Sequence, residues 1–248
     1  MESLHWLALG IVVLTSIGIV IAALLVGRKP PTFRDIPAFR QIRRAVSMVV
    51  EDGSRLHISL GRGSLLTPFG ASALASLSML RQLGETTSLS DRPSIATSGD
   101  GVVNLAAQDT LRSAHEALRI SKPFDINRGQ LTGLTPFSYA AGALPIMRDN
   151  QISTNVLIGN YGIEIALMTE AAEREGSAVV AASDNLPAQA VLYATTPGTL
   201  IGEELFAAGA YNQAGNFHIA SLLAQDVLRW LVILALLAGA ILKALGVF

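Results

Sequence analysis

The 248-residue chain has no cysteine. Disulfides, thiolate zinc sites, iron–sulfur ligation and a cysteine nucleophile are therefore excluded. Histidine is sparse: His5, His57, His115 and His218 lie far apart and form no His-x-x-x-His or His-Glu-x-x-His pair, so no histidine metal site is expected. Charged residues make up 15% of the chain, where a soluble protein carries about 25%. Neither a Gly-x-Ser-x-Gly elbow nor a Gly-x-x-x-x-Gly-Lys-Ser/Thr phosphate loop occurs. Half of the residues are hydrophobic, and the missing charge is concentrated at the two ends.

Trp6 to Val26 is an uncharged run broken only by Thr15 and Ser16 among its polar side chains. About 20 apolar residues cross a bilayer core. A helix satisfies its own backbone there, and the two hydroxyls can bond back to the preceding turn. A cleaved signal peptide would need a basic start and a shorter apolar stretch. Here the chain opens Met-Glu-Ser, and the run ends at Gly27-Arg28-Lys29-Pro30-Pro31. Trp230 to Phe248 is a second apolar run with one charge, Lys243. A buried or interfacial helix packed on the domain is the alternative; the run's apolar residues cover every face, which argues against an interfacial helix, and a second span is expected. Gly18 with Ala22, and Ala235 with Gly239, have the small-xxx-small spacing that lets two spans approach.

Charge gives the orientation. Only Glu2 precedes the first span, whereas Arg28, Lys29, Arg34, Arg40, Arg43 and Arg44 follow it against a single Asp35. Short flanks rich in Lys and Arg stay on the cytoplasmic side. The expected organisation is a transmembrane helix over 1–27, a basic juxtamembrane segment with a connecting helix over 28–54, a cytoplasmic α/β domain over 55–226, and a second transmembrane helix over 227–248. The expected location is the inner (cytoplasmic) membrane with the N-terminus outside. Between Ala45 and Val227 there are 17 acidic and 10 basic residues. That balance offers nucleic acid no footprint. The expected partners are the lipid bilayer and either further copies of the chain or a membrane protein complex.

The middle reads as alternating strands and helices. Helical spacing from Arg34 to Val50 predicts a lead-in helix. Strands are expected at Arg55–Leu60, Ser94–Thr97, Ser153–Ile158 and Ala178–Ala182, with a further candidate at Val191–Ala194. Helices are expected over about 68–82, 103–118, 139–147, 163–174 and 200–210, and a loop over 122–136. This alternation predicts a mainly parallel sheet with covering helices, a Rossmann-like arrangement.

In such a sheet, ligands bind beyond the carboxyl ends of the strands. The residues expected there are Gly61 and Gly63, then Ser98, Gly99, Asp100 and Gly101, then Gly159 and Asn160, and finally Asp184 and Asn185. Glycines let a backbone approach a ligand, and helix N-termini offer N–H groups to an anion. Turn and capping chemistry favours the same residue types. Gly61-Arg-Gly63 lacks the third glycine of a dinucleotide fingerprint, since position 66 is Leu, and no acidic residue follows at the fingerprint's distance. No cofactor is named by the sequence. Asp100 and Asp184 are candidates for an acid–base or Mg²⁺-binding pair. His57 is expected to be packed within a strand and His115 to lie on a solvated helix face.

Arg55-Leu-His-Ile-Ser-Leu-Gly-Arg-Gly63 behind a basic-flanked anchor, and Gly159-Asn-Tyr-Gly162 with Glu164, resemble an uncharacterised bacterial family of membrane-anchored proteins known as a domain of unknown function. The resemblance implies a bacterial envelope protein and brings no catalytic residues with it. The function expected from the residues is a non-enzymatic, ligand- or partner-binding subunit of a membrane assembly. The alternative is a membrane-bound enzyme or sensor for a nucleotide or phosphorylated small molecule.

Overall fold

A computed structural model describes residues 2–26, 33–67, 70–88, 90–149, 151–211 and 215–245. Arg28, Lys29, Pro68 at the expected start of a helix, and the last three residues of the chain lie outside that set. The chain divides into two compact units, one made of residues 1–33 with 213–248 and the other of residues 34–212.

The first unit holds α1 (Glu2–Val26) and α9 (Asn216–Ala244), which pack against each other. Ala8–Val26 of α1 and all of α9 are long and apolar enough to cross a membrane. Of the most apolar 18-residue stretch of each, 11% is buried within the protein in the first and none in the second. Burial in a protein core therefore does not account for these helices. Thr15 Oγ1 donates to the Ile11 carbonyl at 2.9 Å and Ser16 Oγ to the Val12 carbonyl at 2.7 Å. The hydroxyls thus return to the preceding turn as expected. The small-residue spacing plays no close-packing part, because a Cβ added at Gly18 or Gly239 would meet open space. The buried residues of the pair are instead Ala23, Val26 and Ala220. α9 begins well before Trp230, and its polar half carries an Asp226–Arg229 ion pair.

The second unit runs α2 (Pro37–Glu51), β1 (Arg55–Gly61), α3 (Ala71–Thr87), β2 (Ile95–Ser98), α4 (Gly101–Ala117), β3 (Gly129–Leu131), α5 (Pro136–Met147), β4 (Ile152–Asn160), α6 (Ile165–Arg174), β5 (Ala178–Ser183), α7 (Leu186–Thr195), β6 (Gly198–Leu200) and α8 (Glu204–Tyr211). Its six strands form one all-parallel sheet in the order β3-β2-β1-β4-β5-β6. The expected α/β class is thereby established.

Side chains alternate across a strand. Leu56, Ile58 and Leu60 of β1 join Val156, Ile158, Val180 and Ala182 in one apolar layer. Phe39, Ile42, Val46 and Val49 cover it from α2, at the i, i+3, i+4 spacing of a helix face, together with α3, α4 and α8. The lead-in helix is therefore part of the domain core. Phe39 also stacks on Tyr211 with ring centroids 4.7 Å apart, which brings the two ends of the unit together. The other layer joins Leu157 and Ala181 to Tyr139, Ala143, Ile165, Met168 and Leu192 of α5, α6 and α7. α5 starts at a reciprocal capping box between Thr135 and Ser138, followed by Pro136.

Three local expectations are corrected. Val191–Ala194 is the end of helix α7, and the strand lies at Gly198–Leu200 in the place of the expected turn. Short apolar runs do not separate the two states by periodicity; here Asn185 and Pro187 start a helix that carries through them. The expected loop 122–136 contains a 3₁₀ turn over Ile126–Arg128 and the edge strand β3. Gly-Gln-Leu has no β-branched residue to mark it, and its pairing with β2 is what makes it a strand. His115 is buried, not solvated: Nε2 donates to the Lys122 carbonyl at 2.7 Å, and the ring sits edge-on to Phe124. The chain after α4 folds back over it.

Truncating a core side chain of α3 should cost far more than truncating an exposed one. Leu80 is fully buried and Leu74 is 61% exposed. Leu80→Ala is expected to lower unfolding free energy by about 2–5 kcal/mol, and Leu74→Ala by less than about 0.5 kcal/mol. Urea unfolding of the detergent-solubilised chain measures both.

Candidate functional site

The ten predicted residues lie at or just beyond the carboxyl edge of the sheet, as the parallel topology requires. Those at the heart of the edge are joined by hydrogen bonds. Gly99 N donates to the Gly61 carbonyl at 2.9 Å, Arg62 N to the Asn160 carbonyl at 2.8 Å, and Asn160 Nδ2 to Asp184 Oδ1 at 2.7 Å. These bonds cross β2, β1, β4 and β5 in turn.

Close approach is what Gly61 provides, but the neighbour is protein. Its φ is +70°, and a Cβ there would stand 2.5 Å from the Asn160 carbonyl oxygen. Gly159 approaches Leu60 in the same way from β4. A Cβ on Gly99 would collide with the Arg62 side chain. Gly63 lies against Ser72 and Ala73 of α3. Only Gly101, the first residue of α4, has open space beside it.

The polar members serve helix starts. Asp100 Oδ1 accepts from Val103 N at 2.9 Å and caps α4, while the Ser98 hydroxyl bonds the Asp100 backbone. Asn185 is the N-cap position of α7, and its N–H donates to Ser183 Oγ. Asp100 and Asp184 follow β2 and β5. Three strand spacings separate those strands, about 14 Å, so the two carboxylates are not a contacting acid–base pair. Among the described residues no group of three His, Asp or Glu is placed to hold a metal ion.

The strand order reverses between β1 and β4, which is the ligand crevice of open α/β sheets. Arg62 and Glu164 occupy that place. Arg62 Nε donates to Glu164 Oε1 at 3.1 Å, and the same oxygen accepts from Gly162 N at 2.8 Å. The carboxylate is 1% exposed and the arginine side chain 22%. Sequence reading picked out Arg62 and Glu164 as neighbours of glycines. Their partnership, across 102 positions of chain, is a tertiary fact.

A second feature lies inside the sheet. On the face opposite Leu56 and Ile58, His57, Ser59, Thr97 and Asn155 form a buried polar stripe. Asn155 Nδ2 donates to Ser177 Oγ at 2.8 Å, which leaves Oδ1 to accept from His57 Nδ1 at 2.8 Å. His57 Nε2 then accepts from Thr97 Oγ1 at 2.9 Å. The chain of bonds continues through Tyr139 OH to Ser59, where Tyr161 OH also bonds the hydroxyl and the carbonyl. Every ring nitrogen has a partner, and burial favours the neutral imidazole. Burial pushes His57 down to about 4, against an upward pull from the Asn155 hydrogen bond. Burial raises both phenols, Tyr161 the more strongly. The network packs the sheet and holds α5 to it through Tyr139, whereas the residue pattern alone predicts only that His57 is packed.

A groove of about 440 Å³ opens at the opposite, amino edge of β5 and β6, lined by Gln41, Arg44 and Met48 of α2 with Glu173, Ser177 and Thr196 among others. None of the ten predicted residues lines it. Ser177 links it to the buried network.

A family model described as a domain of unknown function, DUF6754, matches residues 1–248. No curated protein and no solved structure matches the chain.

The His57 network sets a pH dependence. An unfolded histidine takes up its proton near pH 6.5, and the folded one only near pH 4. The stabilisation is therefore complete above about pH 6.5 and is lost as pH falls towards 4, amounting to about 3 kcal/mol. Urea midpoints from pH 7.5 to 4.5 should fall more steeply for the native chain than for His57→Gln. Parallel slopes would show that His57 titrates alike in both states.

Proposed function

The chain belongs to the DUF6754 family, a domain of unknown function, and we propose that it acts as a membrane-anchored, non-enzymatic subunit whose α/β domain binds a protein partner. The observation that carries this reading is the Arg62–Glu164 pair at the switch point. A nucleotide there would have to displace a buried carboxylate from two donors, and removing one member of such a pair leaves the other charge uncompensated. The glycines that would admit a pyrophosphate are pressed against Asn160, Leu60 and Arg62. The nucleotide enzyme or sensor has no comparable support.

The test is titration of the detergent-solubilised full chain with ATP, GTP, NAD and their Mg²⁺ complexes, read as thermal stability. A flat response is expected. A saturable rise in Tm, abolished by Asp100→Ala, would overturn the reading.

The location we propose is a bacterial cytoplasmic membrane, with the N-terminus outside and the α/β domain in the cytoplasm. Two helices suited to lipid and the basic residues that follow the first of them support it. The lack of native cysteine allows single-site labelling. A membrane-impermeant maleimide should label Ser3→Cys but not Ser121→Cys in intact cells, and the reverse in inverted vesicles. The opposite pattern would invert the topology.

A further inference from the structure

The switch-point seal explains the centre of the carboxyl edge and leaves its rim unexplained. In an all-parallel sheet each strand delivers its following loop to the same edge. Five of the six loops here put a large apolar side chain into solvent: Leu66 after β1, Leu134 and Phe137 after β3, Ile163 after β4, Leu186 after β5 and Ile201 after β6. Their exposures run from 44% to 81%. A single exposed leucine needs no explanation. Five loops from separate parts of the sequence converging on one edge do, since large apolar patches mark interaction sites. The edge crosses five strand spacings, about 24 Å, which is the length of a helix of about 16 residues.

Charge decides what fits. The edge carries Asp100, Glu164, Asp184, Glu203 and, at the start of α8, Glu204, against two cations, Arg62 paired with Glu164 and Arg34 paired with Glu204. An edge of this sign repels anionic headgroups and attracts Lys and Arg. A second copy docking through the same edge would set carboxylate against carboxylate. The exposed arginines Arg40, Arg43 and Arg44 belong to α2, whose apolar face is already spent in the core.

We propose that the carboxyl edge is a docking surface for an amphipathic, Lys/Arg-flanked helix of a partner protein. This rests on the partner-binding reading above and gives the partner its chemistry. Apolar residues of the helix, spaced to lie on one face, cover the rim, and its basic flanks meet Asp100 and Asp184. This is the helix-in-groove mode of recognition, and the charges set the on-rate and its salt dependence.

A photo-crosslinking residue at Leu134 or Leu186, with Arg81 of α3 as the control position, tests this in the native membrane. The expected result is one protein adduct from 134 and 186 and none from 81. Mass spectrometry of the crosslinked peptide should show an apolar helix face flanked by Lys or Arg. Asp184→Asn should cut the yield several-fold, and so should 0.5 M salt. Leu134→Asp with Leu186→Asp, read by a third photo-crosslinker at Phe137, should abolish the adduct with Tm unchanged. Adducts to lipid, or to a second copy of the chain, would overturn the proposal, as would an absence of adducts. An adduct with an acidic or uncharged segment, indifferent to salt, would overturn the basic-helix assignment and leave the partner-binding reading standing. A nucleotide-dependent rise in Tm would instead strike that reading itself.

Discussion

Parallel strands have no face to give to water, because the crossovers that connect them lay helices on both sides. The six-stranded sheet meets that constraint with α3, α4 and α8 on one side and α5, α6 and α7 on the other, and it recruits α2 as well. A helix that follows the apolar N-terminal helix in the chain thereby becomes structural. Its Phe39, Ile42, Val46 and Val49 are buried, so only its arginine face remains outside.

The same constraint shapes the polar stripe of His57, Ser59, Thr97 and Asn155. Once both faces are covered, these groups lie in a low-dielectric layer where an unpaired donor or acceptor costs about 1–3 kcal/mol. Tyr139, Tyr161 and Ser177 satisfy them from the covering elements. A half-satisfied network would be worse than an apolar layer. The histidine is kept neutral by its burial, and Asn155 and Thr97 give each of its ring nitrogens a partner.

With both faces spent on packing, an all-parallel domain has only its edges to offer. In this chain the middle of the carboxyl edge is closed by Arg62 and Glu164, and what faces outward is the apolar rim. The residues that suggest a nucleotide crevice, Gly61, Gly99 and Gly159, instead let neighbouring loops lie against each other. Glycine's freedom of approach does not specify what is approached.

The sequence by itself determined that both ends are helices long and apolar enough to cross a membrane, and it determined the alternation of strands and helices, and hence a parallel sheet. Each of these follows from local pattern: apolar run length, period, and the turn residues between elements. It placed Gly61, Gly99, Asn160 and Asp184 at one edge for the same reason. Tertiary structure alone decided that β3 and β6 are strands, since three residues each have too short a pattern to read and depend on a neighbour's ladder. It alone decided that Val191–Ala194 continues a helix, that His115 is buried, and that Arg62 meets Glu164. Those outcomes depend on contacts between residues distant in the chain, and such contacts leave no period in a sequence.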